Sequence, residues 1–417
     1  MLIALVVVIA VLAASYLILA LNSLWVYALF DHALRNRRDS LPPSYELPRY
    51  VTKTPAGEAD MLTRWPGWDG WYFFLLPDDR SLPAKMIRGS IMTGLYGLDG
   101  VDNNKALPPR VSAFEAVEHL FLAPSEITAA GGIEKANLLF HRYLPKSSVL
   151  TMKTDSLDVS IAGLDASNRK TNELWGRIWG AWPQYQFDFV HPEAKIAISV
   201  SYRAEDIVWW ADVPGIFTYF ASFGTYEGTL TYLQGSGKNM SGETARAEET
   251  YAFKGRGGFE HGCARKPFSF TRLWSPMRLL NAIVPRFHPV RYNYQLLIGD
   301  EGLHGGFMLA QGFGINFRNR GGFYLDGSYI PVQSIEIDYI EYGAGAPGMH
   351  PGSDGVAFPR KWRVRASTAE GVLEYTATHE WPPPPVSSNM TYYNFIFTGT
   401  YRGRQTSGRG YGEYLNI

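Results

Sequence analysis

Apolar and polar positions divide the chain into three kinds of segment. The first thirty residues, MLIALVVVIAVLAASYLILALNSLWVYALF, carry no charge. At about 1.5 Å of rise per helical residue, such a run more than spans the roughly 30 Å apolar core of a bilayer. Trp25 and Tyr27 suit the membrane interface, and Arg35, Arg37 and Arg38 follow at once. A cleavable signal would have a basic start and a shorter apolar core, so the pattern predicts a transmembrane helix over 1–30 that stays attached. Residues 31–62, polar and punctuated by proline, read as a linker.

Beyond the linker the period shortens. WPGWDGWYFFLL (65–76) reads as an aromatic strand. One helix is expected next, because Ser112 and Glu115 form a capping box before Ala116, Val117, Leu120 and Phe121. EKANLLFHRYL (134–144) is a second candidate helix. From about residue 150 strand follows strand: LDVSIAGL, AKIAISVSYRA, EGTLTYLQG, ETYAFKG, NYQLLIGD and their successors are short, rich in β-branched and aromatic residues, and bounded by Gly, Asp or Asn. In QSIEIDYIEY, Ile335, Ile337 and Tyr339 alternate with Ser334, Glu336 and Asp338, a period of two. No strand–helix alternation appears, so the expected class is all-β, antiparallel barrels or sandwiches. Aromatic strands on both sides of residue 265 suggest two units, 63–255 and 256–417.

Composition sharpens this picture in a few places. Aromatics make up 14% of residues, beside 42 Gly and 26 Pro, which suits short strands, tight turns and flat side chains lining an interior. Basic and acidic residues both number 39, so no net field points to nucleic acid. Cys263 is the sole cysteine, which excludes an internal disulfide and a multi-thiolate metal site. No phosphate-cradling loop, serine elbow or zinc-binding HExxH is present, and the nine histidines lack ligand spacing. Neither metal nor redox cofactor is therefore expected.

Candidate chemistry centres on KGRGGFEHGCARK, residues 254–266. Glu260 and His261 stand side by side on a backbone bare enough for a ligand to approach. A carboxylic acid in an apolar, aromatic-lined site has its pKa raised and can donate a proton. On one strand the two side chains point to opposite faces, so at most one points inward unless a bulge intervenes. The structural alternative pairs Glu260 with Arg256 or Arg265. Trp68, Trp71, Tyr72, Trp209 and Phe259 are candidate walls of a substrate cavity, although such side chains more often belong to a core. Glu413, near the C-terminus in GRGYGEYL between Tyr411 and Tyr414, is a further candidate acid, with Tyr411 at the substrate.

Taken in order, FTYFASFGTYEGTLTY, YAFKGRGGFEHG, FPRKWRVRAS and NFIFTGTYRGRQTSGRGYGEYL resemble the carotenoid 1,2-hydratase (hydroxyneurosporene synthase) and AttH-type lipocalin-like proteins. GWDGWYFFLL is similar to the E-G-W-Y-F strand of tocopherol cyclases, and the architecture also resembles the fungal hetero-Diels–Alderases. The resemblance covers about residues 65–417. It implies two lipocalin-like β-barrel domains around an apolar cavity, and hydration or cyclisation of a hydrophobic terpenoid or polyketide–terpenoid without a cofactor. Matched motif by motif, the family's central acid falls on Glu260, its basic neighbour on His261, its terminal acid on Glu413 and its aromatic strand on Trp71 and Tyr72. Glu260 replaces the usual Asp, Phe259 stands where Trp is common, and the closing ELTGY is shortened to EYLNI. The competing expectation is a membrane-tethered, non-catalytic carrier of a lipid or pigment. Either way the chain is expected to be a single-pass membrane protein, for which the endoplasmic reticulum is one setting. The arginines after the span argue for a cytosolic body, and sequons at Asn239 and Asn389 for a lumenal one.

Overall fold

The structure, a computed structural model, describes residues 7–11, 13–14, 67–79, 82, 84–93, 116–124, 138–143, 148–153, 157–164, 170–191, 196–213, 217–232, 249–265, 290–312, 315–316, 320–344, 357–380 and 390–416. For some of these, including stretches within 67–70, 116–175 and 208–220, it describes the backbone alone. The described N-terminal residues are helical, with Val7, Val8, Ile9 and Val11 exposed. Among the described residues no helix is long and apolar enough to cross a membrane. The rest of the expected anchor, and the linker, lie outside the described residues.

The first sheet holds β1 (Gly67–Pro77), β2 (Ala84–Thr93), β3 (Ala116–Pro124), β4 (Leu138–Tyr143), β5 (Ser148–Lys153), β6 (Leu157–Leu164), β7 (Lys170–Ala181), β8 (Gln184–His191), β9 (Ile196–Val213), β10 (Phe217–Tyr232) and β11 (Glu249–Arg265). Every sequence neighbour pairs antiparallel except β4 with β5, and the first strand pairs with the last. Such a meander is a ring opened at one seam. The second sheet repeats the plan with β12 (Val290–Gly299), β13 (His304–Gly312), β14 (Ile315–Asn316), β15 (Arg320–Leu325), β16 (Ser328–Pro331), β17 (Ser334–Ala344), β18 (Ala357–Ser367), β19 (Val372–His379), β20 (Met390–Tyr401) and β21 (Arg404–Asn416). Here β12 pairs with β21, and the seam falls between β16 and β17. The chain ties that seam itself, because Val332 N donates to Gly321 O at 3.0 Å and Gln333 N to Ser367 O at 2.7 Å. The result is two curled antiparallel half-barrels, nearly all-β as the alternating patterns predict.

The two expected helices do not form. Residues 116–124 and 138–143 are β3 and β4, each hydrogen-bonded to a neighbouring strand. Ser112 and Glu115 of the capping box lie outside the described residues. Valine, histidine and phenylalanine at 117, 119 and 121 read as well with period two as with helical period, and ladder pairing to β2 settles the ambiguity. Alternation in β17 holds through Ile335, Ile337 and Tyr339, which pack on the second core. A bulge after Tyr339 then leaves Ile340 exposed.

Aromatic rings fill both interiors. In the first, Phe73 stacks on Phe187 with centroids 4.7 Å apart, and Phe259 lies 4.8 Å from Tyr185 and 5.3 Å from Phe187. In the second, Trp362, Tyr375, Tyr393, Phe395 and Phe397 are buried together. Glycines make room for these rings. A Cβ at Gly410 would fall 2.1 Å from the Phe395 ring, and one at Gly412 would fall 2.1 Å from the Tyr393 ring. Gly258 of the glycine-rich stretch plays the same part, since a Cβ there would meet Phe74 at 2.1 Å. Gly258→Val must therefore expel the Phe74 ring. We expect a loss of about 1–3 kcal/mol in urea denaturation, whereas Ala252→Val on the exposed side of the same strand should be close to neutral.

Candidate functional site

Strands β1 and β11 lie side by side, with Trp71 opposite His261, Tyr72 opposite Glu260, Phe73 opposite Phe259 and Phe74 opposite Gly258. Alternation then sorts them onto two faces. Trp71, Phe73, Phe259 and His261 turn into the first half-barrel, where His261 stacks flat on Trp71 with centroids 4.9 Å apart. Tyr72, Phe74 and Glu260 turn the other way, together with Arg88 from β2, and meet the second sheet. The sheet thus separates Glu260 from His261, and Tyr72 from Trp71.

The seam between the sheets is built from both. Phe74 stacks on Tyr411 at 4.7 Å and 11°. Arg88, 1% exposed, donates from Nε to the Tyr411 hydroxyl at 2.8 Å. Its guanidinium lies 5.4 Å from the Tyr72 ring centre and 5.9 Å from that of Tyr411. Tyr411 in turn donates to Glu413 Oε1 at 2.6 Å, and Arg88 Nη2 lies 3.5 Å from the same oxygen. Tyr294, opposite Glu413 on β12, donates to Glu260 Oε1 at 2.9 Å. Arg256, the structural alternative for Glu260, reaches Glu205 instead at 3.3 Å. Two carboxyl groups, one from each sheet, therefore enter one buried seam, and each accepts a phenol hydrogen bond.

Their surroundings differ. Burial raises the Glu413 pKa above its ordinary value, against the opposing pull of Arg88 and the Tyr411 hydrogen bond. A carboxyl so placed holds its proton to higher pH than one in water, and the guanidinium beside it receives the charge once the proton leaves. Among the described residues no three His, Cys, Asp or Glu side chains gather to hold a metal.

Of the residues singled out in the sequence, Tyr72, Glu260, Tyr411 and Glu413 come together at the seam, while Trp71, Phe259 and His261 belong to the first interior. The side chains of Trp68 and Trp209 lie outside the described residues. Arg88 and Tyr294 were not anticipated. A lone arginine amid the apolar run KMIRGSIM was the available signal for the first, whereas Tyr294 resembles many other strand tyrosines.

No protein-family model matches the chain, and no curated protein matches it by sequence. Among solved structures it is similar to CghA in complex with Sch210972, with 12% identity, 89% of this chain and 97% of that one covered, and a TM-score of 0.50. It is also similar to kievitone hydratase from Nectria haematococca, with 10% identity, 91% and 94% covered, and a TM-score of 0.44. The likeness to CghA establishes a shared lipocalin-like fold over nearly the whole of both chains.

The electrostatics of Glu413 carry a prediction. A carboxyl with a folded-state pKa above its unfolded value favours folding most when protonated, and this contribution is lost as pH rises through the folded pKa. Glu413→Gln cannot ionise. Its melting temperature relative to the parent should therefore climb as pH rises from 4 towards neutrality. A difference that stays flat across that range would show that Glu413 ionises as it does in water.

Proposed function

We propose that the chain is a cofactor-independent cyclase or pericyclase of the hetero-Diels–Alder kind, or a hydratase, and that its chemistry takes place at the seam between the half-barrels. The observation that carries this reading is the buried Glu413 carboxyl, its pKa raised, bridged by Tyr411 to the Arg88 guanidinium and facing the Glu260–Tyr294 pair. The fold shared with CghA supports it, as do the ordered motifs by which the sequence resembles the lipocalin-like hydratases and cyclases. The substrate class proposed is a hydrophobic terpenoid or polyketide–terpenoid.

Glu413 is the proton or hydrogen-bond donor to a carbonyl, quinone methide or alkene. Arg88 stabilises the carboxylate as charge builds up on it, and Tyr411 fixes the orientation of both. In a dry seam little solvent competes for that charge, so one positioned donor is worth about 10²–10³ in rate. The Tyr72 ring, which shares the seam with Arg88, holds a flat apolar partner at reacting distance, a gain in orientation that needs no titrating group. Glu260, held by Tyr294, serves as the opposing acceptor. The uncharged N-terminal segment belongs to the same proposal and tethers the enzyme where its substrate partitions.

With extracts containing the true substrate, Glu413→Gln should slow turnover at least tenfold while substrate binding falls less than threefold; Glu260→Gln should give a smaller loss. Unchanged turnover in both variants would remove the seam from the chemistry, and binding without turnover by the parent would identify a carrier. The tether has its own test. Alkaline carbonate should leave the full chain in the membrane pellet and release a chain starting at residue 31, and release of both would rule out a spanning segment.

A further inference from the structure

Away from the Glu413 cluster, the seam holds an imidazole against a carboxylate of the opposite sheet. His304 opens β13, and its Nε2 lies 2.6 Å from Oδ2 of Asp206 on β9. A carboxylate can only accept, so the proton of this bond sits on Nε2. Nδ1 is then a bare lone pair. It is buried, and among the described residues it has no hydrogen-bond partner. Buried acceptors are ordinarily satisfied, so this one calls for a donor.

Both members of the pair are held in place. The imidazole stacks on Tyr324, its neighbour across the β13–β15 ladder, with centroids 5.0 Å apart and 10° between planes. It meets the edge of Phe223 at 5.5 Å. On the other sheet, Phe223 pairs with Asp206 but Gly224 pairs with Ala204, which leaves Glu205 as the extra residue of a bulge in β9. Glu205 reaches Arg256 and Thr225, and Asp206 reaches His304. Bulges that re-aim a side chain are common beside active sites. A row of rings joins this pair to the Glu413 cluster. Tyr411 stacks on Phe74 at 4.7 Å, Phe74 meets Phe223 at 6.1 Å, and Phe223 meets His304. Asp206 keeps 29% of its side chain in solvent against 5% for His304, so the pair stands at the rim of that row.

We propose that His304 and Asp206 form the general base of the seam, and that the substrate brings an acidic hydroxyl, a phenol or an enol, to His304 Nδ1. The inference rests on the reading of the seam as a reaction site and adds a base to its acid. The hydroxyl first donates to Nδ1 and satisfies it. The O–H bond then breaks: its proton passes to Nδ1 and its electron pair stays on the substrate oxygen. Asp206 fixes the tautomer and stabilises the imidazolium that forms. No oxidant or co-reactant is required, and the imidazolium returns the proton to the product. The oxyanion is the electron-rich partner of a cyclisation. An aliphatic alcohol is too weak an acid for this transfer, which narrows the class to phenols and enols.

The test uses 4-nitrophenol and its methyl ether, 4-nitroanisole, which lacks the acidic proton. In mildly acidic buffer free nitrophenol is colourless, so proton transfer to His304 shows as the yellow band of bound nitrophenolate. Equilibrium dialysis against the full chain gives both affinities. The parent should bind nitrophenol more tightly than nitroanisole and show the band. His304→Phe keeps a ring on Tyr324 but no nitrogen. It should lose the band and about tenfold to a hundredfold of nitrophenol affinity, the worth of one hydrogen bond to a charged group, while nitroanisole changes less than twofold. Asp206→Asn keeps an acceptor for Nε2 but no charge. Its band per bound nitrophenol should fall at least threefold, so it reports even if the ring replacement disturbs folding. A pair that only clasps the sheets would lower the melting temperature in both variants and leave the band and the affinity ratio as in the parent. That result overturns the proposal, as does a parent that binds the probes equally or shows no band, or a band that survives His304→Phe. The band needs no turnover. It can be missing where Glu413→Gln still slows the reaction, or present where that substitution does nothing, so the two readings fail separately.

Discussion

Arg88 is a permanent charge in a nearly waterless place, and the relation between the two sheets follows from how that charge is accommodated. A guanidinium cannot shed its proton to escape burial, so its surroundings must supply acceptors and polarisable faces. The first sheet sets the Tyr72 ring beside it; the Tyr411 hydroxyl, the Tyr411 ring and the Glu413 carboxyl all belong to β21. Those partners are correctly placed only when the second sheet packs against β1 and β2 in one position. Phe74 stacked on Tyr411 sets the same position by shape. Further along the seam, His304 meets Asp206 at 2.6 Å and Tyr324 donates to Ile207 O at 2.9 Å, both at the irregular stretch of β9 where its pairing with β10 shifts register. Bulges at that point turn the strand towards its partner sheet.

The glycine-rich strand answers to the same packing. From the bare sequence, glycines beside Glu260 look like room for a flat ligand. In the fold the flat body at Gly258 is Phe74, and Gly255 and Gly257 bring the backbone of β11 against that of β1. The surface a ligand might have occupied is used by the chain's own side chains, which lock Phe74 where Tyr411 needs it. The acid is therefore positioned by the glycines, though through an intermediary that sequence distance conceals.

Legibility followed the range of the interaction. Alternation is local, so the antiparallel class and the opposite faces of Glu260 and His261 could be read from a few adjacent residues. The capping box at 112–115 misled because a short amphipathic segment satisfies both periods, and only pairing with β2 decides between them. Arg88 and Tyr411 are 323 positions apart, and nothing near either one signals the other. Glu413 stood out as an acid among tyrosines, but its raised pKa depends on burial by a sheet that begins more than a hundred residues earlier. Neither the distance between two strands nor the face they share is written in a local pattern.

A sheet that uses both its faces must keep two environments apart across a single layer of backbone. On one face of β1, Tyr72 and Phe74 serve a charged seam; on the other, Trp71 and Phe73 serve a neutral aromatic interior. Adjacent residues thus have opposite dielectric requirements, which only the strict period of a strand can meet. A one-residue slip of β1 against β11 would turn Trp71 and Phe73 to the seam and bring Tyr72 inside, so register is penalised from both sides at once. That double penalty explains how a stretch with four glycines in nine residues, 254–262, otherwise poorly suited to a strand, still pairs over the whole length of β1. The chemistry proposed for the seam needs carboxyl groups placed to within a fraction of an ångström, and it is this register, enforced by aromatic packing on the far face, that holds them there.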